Sequence, residues 1–287
     1  MKLETPLFYE RPSLHTEIYD HQTSLGFASS HQDAAFYARL AVESVDAARQ
    51  ACTENTGVLE VACGTGRVLF TMADALQHTD AQIHGLDASR AMLQMAQTRR
   101  EGLPPALRDR IHLHLGDMAD FNLGTKFAFI CVPFRSFQMM WSAAVQEQCM
   151  LCLRRHLVPG GRLVINLFDP RHDMLLPGKS RETVLIREMK HPRTGHLVVV
   201  EVLERENDPL LQLFQEQWRF TEKDAAGNVL RQETETVRLR WTFRYEMRRL
   251  AVASGFHVEA EYSDFEGSAP AYAKEQVWVL RNLADLA

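Results

Sequence analysis

Several absences narrow the reading before any motif is considered. The chain has 287 residues but only five cysteines, an odd and scattered set that outlines no disulfide framework. No apolar run approaches the ~20 residues needed to span a bilayer, so a membrane protein is not expected. The first residues, Met1 to Pro6, contain no apolar signal core and include an acid at Glu4. There is no excess of positive charge: 32 basic residues face 37 acidic ones, for a net charge of -5. A protein that works by neutralising nucleic-acid phosphates would have the opposite balance. No internal repeat or low-complexity segment is present. Together these features describe a reduced, cytoplasmic protein of enzyme size, long enough to bury a core without disulfide or metal staples.

Four sections can be read along the chain. Residues 1–54 form an N-terminal arm and a helix starting at Asp33. From Val58 a strand–turn–helix pattern repeats, with strands at 58–62, 81–86, 110–115, 126–132 and 162–168. Helices fall between them, and residues 55–179 make up this core. Such alternation predicts an α/β fold with a mostly parallel sheet and helices on both faces. Residues 180–243 change character: four strands separated by Pro192-Arg193-Thr194-Gly195 and Ala226-Gly227-Asn228 predict an antiparallel β meander. Within it Val237, Leu239, Trp241 and Phe243 share one face. Residues 244–287 supply a helix closed by Gly255 and two more strands. They complete a seven-stranded Rossmann-like sheet whose last strand returns antiparallel.

The sharpest signal is Glu60-Val61-Ala62-Cys63-Gly64-Thr65-Gly66, directly after the first strand. Gly64 and Gly66 allow close backbone approach to a ligand and a tight turn into the next helix. A nicotinamide fingerprint wants a third glycine, and Leu69 stands there instead. An acid at the strand end, Glu60, is awkward beside a pyrophosphate but suits a cationic amino group. Asp87 ends the second strand, where a carboxylate can grip a ribose. Asp117 and Pro133 fall at the ends of the third and fourth.

With these residues in view, the chain resembles the class I S-adenosylmethionine-dependent methyltransferases over about residues 55–170. Val58 to Val68 is similar to their first motif, with Ala62 where a glycine is frequent. Gly85-Leu86-Asp87-Ala88-Ser89, Gly116-Asp117-Met118 and Leu157 to Leu163 are similar to three further motifs. The resemblance implies a site for S-adenosyl-L-methionine made by Tyr19, Glu60, Ala62, Gly64, Gly66, Asp87, Ala88, Met92, Asp117, Met118 and Pro133. In it Asp87 holds the ribose hydroxyls, Met92 packs on the adenine, Asp117 accepts from the adenine amino group, and Tyr19 reaches the methionine carboxylate. Phe134, Arg135, Asn166 and Phe168 are the expected acceptor side, with Arg135 holding an acidic acceptor or orienting an acid such as Glu60.

The implied reaction is methyl transfer to nitrogen or oxygen of a small molecule, driven by alignment and exclusion of water. No metal and no protein nucleophile are called for. His31 and His172 are the candidate bases if the acceptor is an oxygen. The alternative is a binder of S-adenosylmethionine with a regulatory or other transfer role. The meander is expected to cover the acceptor side of the cleft and to offer an edge to a second subunit. Other motifs have plainer readings. Cys149-x-x-Cys152 lies in a helix without a second pair and reads as reduced thiols. His112 and His114 read as a solvated or hydrogen-bonded pair, and Arg244, Arg248 and Arg249 as one solvated helix face.

Overall fold

The run Phe127–Val132 (β4) is apolar at every position and buried at every position, which places it inside a sheet covered on both faces. The computed structural model describes residues 8–24, 33–53 and 56–283. In chain order its elements are α1 (Leu14–Ser24), α2 (Asp33–Gln50), β1 (Val58–Val61), α3 (Arg67–Ala75), β2 (Ile83–Asp87), α4 (Arg90–Glu101), α5 (Pro105–Arg108), β3 (Ile111–Leu115), β4, α6 (Ala143–Arg155) and β5 (Leu157–Phe168). Next come β6 (Gly178–Ser180), β7 (Val184–Lys190), β8 (Leu197–Asp208), β9 (Leu213–Lys223) and β10 (Val229–Arg240). The described chain closes with α7 (Arg244–Ala253), β11 (Phe256–Tyr262) and β12 (Glu275–Asn282).

The main sheet runs β11-β12-β5-β4-β1-β2-β3. Its first five strands in chain order pair in parallel, and β12 lies antiparallel between β5 and β11. The expected seven-stranded α/β sheet with one reversed strand is therefore present. Two apolar layers cover it. Leu59, Leu86, Ile130 and Leu163 pack against α6 and α7 on one face; Val58, Ile83, Phe129 and Val164 pack against α2 and α3 on the other. Alternate residues of one strand feed opposite layers, as the pleat requires.

The insertion forms a second, antiparallel sheet, β10-β9-β8-β6, with β7 also pairing with β8. It has five strands where the sequence pattern shows four, because the three-residue β6 is too short to leave a period. The shared face predicted for Val237 to Phe243 also ends early. β10 stops at Arg240, the Trp241 backbone N–H donates to the Gln212 carbonyl at 3.0 Å, and Phe243 stands at the N-cap of α7 with its side chain exposed.

The arm contains a helix that the sequence reading did not resolve. Leu14 and Ile18, four residues apart on one face of α1, are fully buried against Val198, Val200, Trp218 and Phe220 of the insertion. Burying each such side chain is worth about 1.5–3 kcal/mol. Asp33 opens α2, and its carboxylate pairs with Arg67 at 2.5 and 2.6 Å, so it joins α2 to α3. Ser89 caps α4, accepting from the Met92 N–H at 3.2 Å. Gly255 follows α7 at φ 84°. No helix among the described residues is long and apolar enough to cross a membrane.

Candidate active site

The carboxyl ends of β1, β2, β4 and β5 open onto a cavity of about 1260 Å³. A site for one small ligand commonly spans roughly 300–1,000 Å³, so this one has room for two molecules side by side. Residues of the arm, the core and the insertion all line it. Tyr19, Ala62, Gly64, Asp87, Ala88, Met92, Asp117, Met118, Phe134, Arg135 and Phe168, all expected at the site, reach its wall. Glu60, Gly66, Pro133 and Asn166 do not; they stand behind the wall and shape it.

The loop after β1 is held from several sides. Ala62 has φ 57°, a left-handed conformation that glycine adopts without strain. Gly66 has φ 86°, and a side chain there would place its Cβ 2.4 Å from the Phe70 ring. Asp87 accepts the Gly64 N–H and the Ser89 N–H, both at 2.7 Å. Each carboxylate oxygen has two acceptor sites, so Asp87 keeps capacity toward the cavity. Burial pushes its pKa up, and these backbone donors pull the other way. From the arm, Asp20 accepts the Thr65 hydroxyl at 2.5 Å and the Tyr9 carbonyl accepts the Ser89 hydroxyl at 2.5 Å.

Glu60 is the most telling group. It is 3% exposed, and its Oε2 has no hydrogen-bond partner. Burial drives its pKa well above the ordinary carboxylate range, against the pull of the Arg67 charge and the Leu69 N–H. A buried carboxylate oxygen with no donor is costly unless a ligand supplies one.

The expected link between Arg135 and Glu60 is absent. Arg135 instead makes a fork on Glu275 of β12, with Nη2 at 2.5 Å and Nε at 3.3 Å; Asn166 adds its Nδ2 to the same carboxylate at 2.9 Å. Phe134 and Arg135 have successive positive φ values, 55° and 64°, which turn the chain sharply out of β4. His172 is exposed and stacks on Tyr272 at 4.5 Å, away from the cavity wall. His31 lies outside the described residues. The insertion contributes Phe214, Trp218, Val237 and Leu239 to the wall, so one of its faces does cover the cleft.

Outside the site, His114 Nε2 lies 3.0 Å from His84 Nδ1, while His112 Nε2 meets Gln82 Oε1 at 2.9 Å and its ring packs on His84 at 4.7 Å. Arg244 and Arg248 pair with Glu261, and all five cysteines are free thiols.

A doubly wound sheet with a glycine turn, a strand-end carboxylate and a covered cleft defines a class of small-ligand α/β proteins. Comparisons with known proteins make the class specific. Residues 58–161 match the family described as a methyltransferase domain. A dTDP-3-amino-3,4,6-trideoxy-alpha-D-glucopyranose N,N-dimethyltransferase of Streptomyces venezuelae is 32% identical over 151 residues, covering 53% of this chain and 56% of that one. A dTDP-3-amino-3,6-dideoxy-alpha-D-glucopyranose N,N-dimethyltransferase of Streptomyces fradiae is 31% identical over 172 residues, covering 58% and 63%. The chain thus aligns with a little over half the length of these relatives. Among solved structures, the CcbJ methyltransferase from Streptomyces caelestis superposes with a TM-score of 0.71 at 22% identity, covering 97% of this chain and 99% of that one. The core from β1 to the β5 turn is similar to a methyltransferase domain, and the whole chain, β insertion included, has the fold of that solved methyltransferase.

Proposed function

We propose that the protein transfers a methyl group from S-adenosylmethionine to an amine nitrogen of a small molecule. The observation that carries this reading is the orphaned, buried Glu60 oxygen beneath the glycine loop, beside an Asp87 with spare acceptor capacity. That pair fits an ammonium and a ribose, and it does not fit a pyrophosphate. When bound, S-adenosylmethionine supplies an activated methyl group on a sulfonium. Glu60 would hold its ammonium from just behind the wall and Asp87 would meet its ribose hydroxyls, with Met92, Asp117 and Met118 around the adenine. Tyr19 and Tyr9 close the arm side.

The chain's remaining task is to align an acceptor and keep water out. Phe134 and Phe168 stand at the ends of β4 and β5, and Arg135, fixed by Glu275, holds the loop between the two halves of the cavity. A neutral amine carries its own lone pair and needs no strong base, which suits a described wall without histidine. The first relatives named above act on amino groups, in agreement with nitrogen as the acceptor. Exposed Val184, Leu185, Leu210 and Leu211 on the insertion favour a second copy pairing there, which light scattering would test. The free thiols agree with a reducing, cytoplasmic setting.

The test is single-turnover transfer from methyl-labelled cofactor to small amines, small phenols, bulk tRNA and protein. Transfer to amines first is expected. Faster transfer to a macromolecule than to any small acceptor would overturn the reading. Cofactor binding without transfer to any of them would favour a regulatory binder.

A further inference from the structure

The charges around the cavity bear on what the acceptor carries besides its amine. Seven carboxylates line the wall against four cations, Arg135, Arg171, Arg205 and Lys274. A nucleotide-activated sugar brings two negative charges on its diphosphate, and such groups are held by guanidinium forks or clustered N–H donors. Here each arginine fork already points at a carboxylate. Arg135 grips Glu275. Arg171 places Nε and Nη2 on Asp173 at 2.9 and 2.6 Å. Arg205 places Nε and Nη2 on Glu216 at 2.8 and 2.5 Å, and the other oxygen of Glu216 takes the Trp218 indole N–H at 2.8 Å. Glu216 is buried, so releasing Arg205 for a phosphate would strand a buried carboxylate. Lys274 is the one lining cation for which no acid partner is seen among the described residues, and it is exposed. One exposed lysine is a weak match for a diphosphate.

The same half of the cavity is rich in flat apolar surface. Trp141, Phe214 and Trp218 of β9, and Val237 and Leu239 of β10 all line it; the Trp141 indole donates to the Arg238 carbonyl at 3.1 Å, which fixes the ring in the wall. Arg205 itself lies over the Phe214 ring at 5.3 Å. Such a wall gains from burying an apolar or aromatic body, and its surplus of carboxylates favours a cation approaching it.

We infer that the acceptor is an amine on an apolar or aromatic body without phosphate, because the cavity neutralises its own arginines and offers aromatic surface in place of an anion site. This deepens the proposed function and rests on it. It also separates this chain from the two relatives named above, whose names specify nucleotide-linked amino sugars.

A matched pair of acceptors tests it: the phenyl glycoside of 3-amino-3-deoxyglucose and the same sugar as its thymidine diphosphate ester. The full-length protein is assayed with both, and cofactor affinity is measured separately by calorimetry. The phenyl glycoside is expected to have kcat/KM at least tenfold higher. Trp141→Ala, at a partly exposed position, should raise KM for the phenyl glycoside severalfold and leave cofactor affinity unchanged. Equal or better use of the diphosphate would overturn the inference and leave methyl transfer to an amine standing. Cofactor binding with transfer to neither member would overturn both.

Discussion

Glu60 offers the sharpest test of the cofactor site, because its buried carboxylate is incomplete without a donor. Without a ligand, burial raises its pKa, so the group holds its proton to a higher pH than a free glutamate does. An ammonium placed at Oε2 would favour the carboxylate and expel that proton. Cofactor binding should therefore release protons in the window between the ordinary glutamate pKa and the raised one. Calorimetry in two buffers of different ionisation enthalpy counts them. The stability consequence has a defined sign. A raised folded-state pKa contributes stability at low pH that is lost as pH climbs through that pKa. The melting temperature of the cofactor-free protein should fall across this window, and the thermal shift given by S-adenosylhomocysteine should grow. Glu60→Gln keeps the shape and removes the charge. It should abolish the proton release and flatten this part of the pH dependence. Losing one hydrogen bond to a charged group costs about 1.5–3 kcal/mol, or about ten- to hundredfold in Kd. A Glu60→Gln protein with unchanged Kd and unchanged proton release would refute the assignment of the ammonium to Glu60.

Three further outcomes follow from the same geometry. Asp87→Ala removes the acceptor of the Gly64 and Ser89 N–H groups together with the ribose grip, so cofactor affinity should fall by at least about 1.5–3 kcal/mol; calorimetry that found no loss would move the ribose elsewhere. Gly66→Ala puts a Cβ against the Phe70 ring at a positive φ and should destabilise the fold by about 1–3 kcal/mol, read as a lower midpoint in urea. His84, pushed down to about 3 by burial and by His112 and His114, is held neutral by the fold. Its depressed pKa gives stability above the unfolded histidine range that drains away as pH falls from ~6.5 toward 3. His84→Gln should reduce that acid sensitivity, and a pH–stability curve that overlays the parent would count against the cluster.

How far the sequence reveals this site depends on how local its parts are. In a parallel sheet every carboxyl end emerges on the same side, so residues just after β1, β2 and β3 must converge whatever the loops do. Asp87 and Asp117 were therefore legible as cavity residues from strand ends alone, and so was the turn at Gly64, whereas Glu60 stands just behind the wall. Arg135 was legible as a site residue but its partner was not. Glu275 is 140 residues away in sequence, and it arrives because β12 runs antiparallel beside β5 in a register that sets Glu275 opposite Phe168. No short-range pattern records that register. The helix α1 was hidden for a related reason. Its two buried anchors, Leu14 and Ile18, make only a short stripe, and the surface they fill belongs to β8 and β9, nearly two hundred residues on.

That placement of α1 has a physical consequence for the cleft. The helix is seated on the insertion through Leu14 and Ile18, while its next residues, Tyr19 and Asp20, reach the cavity and the Thr65 hydroxyl of the glycine loop. Polar contacts reinforce the seat: Glu233 of β10 accepts the Leu14 N–H at 2.7 Å, and Glu235 meets His15 at 2.9 Å. Arm and insertion therefore share one apolar core that is separate from the two layers of the main sheet. Moving the insertion to admit an acceptor would drag α1 and loosen the bond at Thr65. A single helix of the arm thus ties the insertion to the glycine loop after β1, two segments well over a hundred residues apart in the chain.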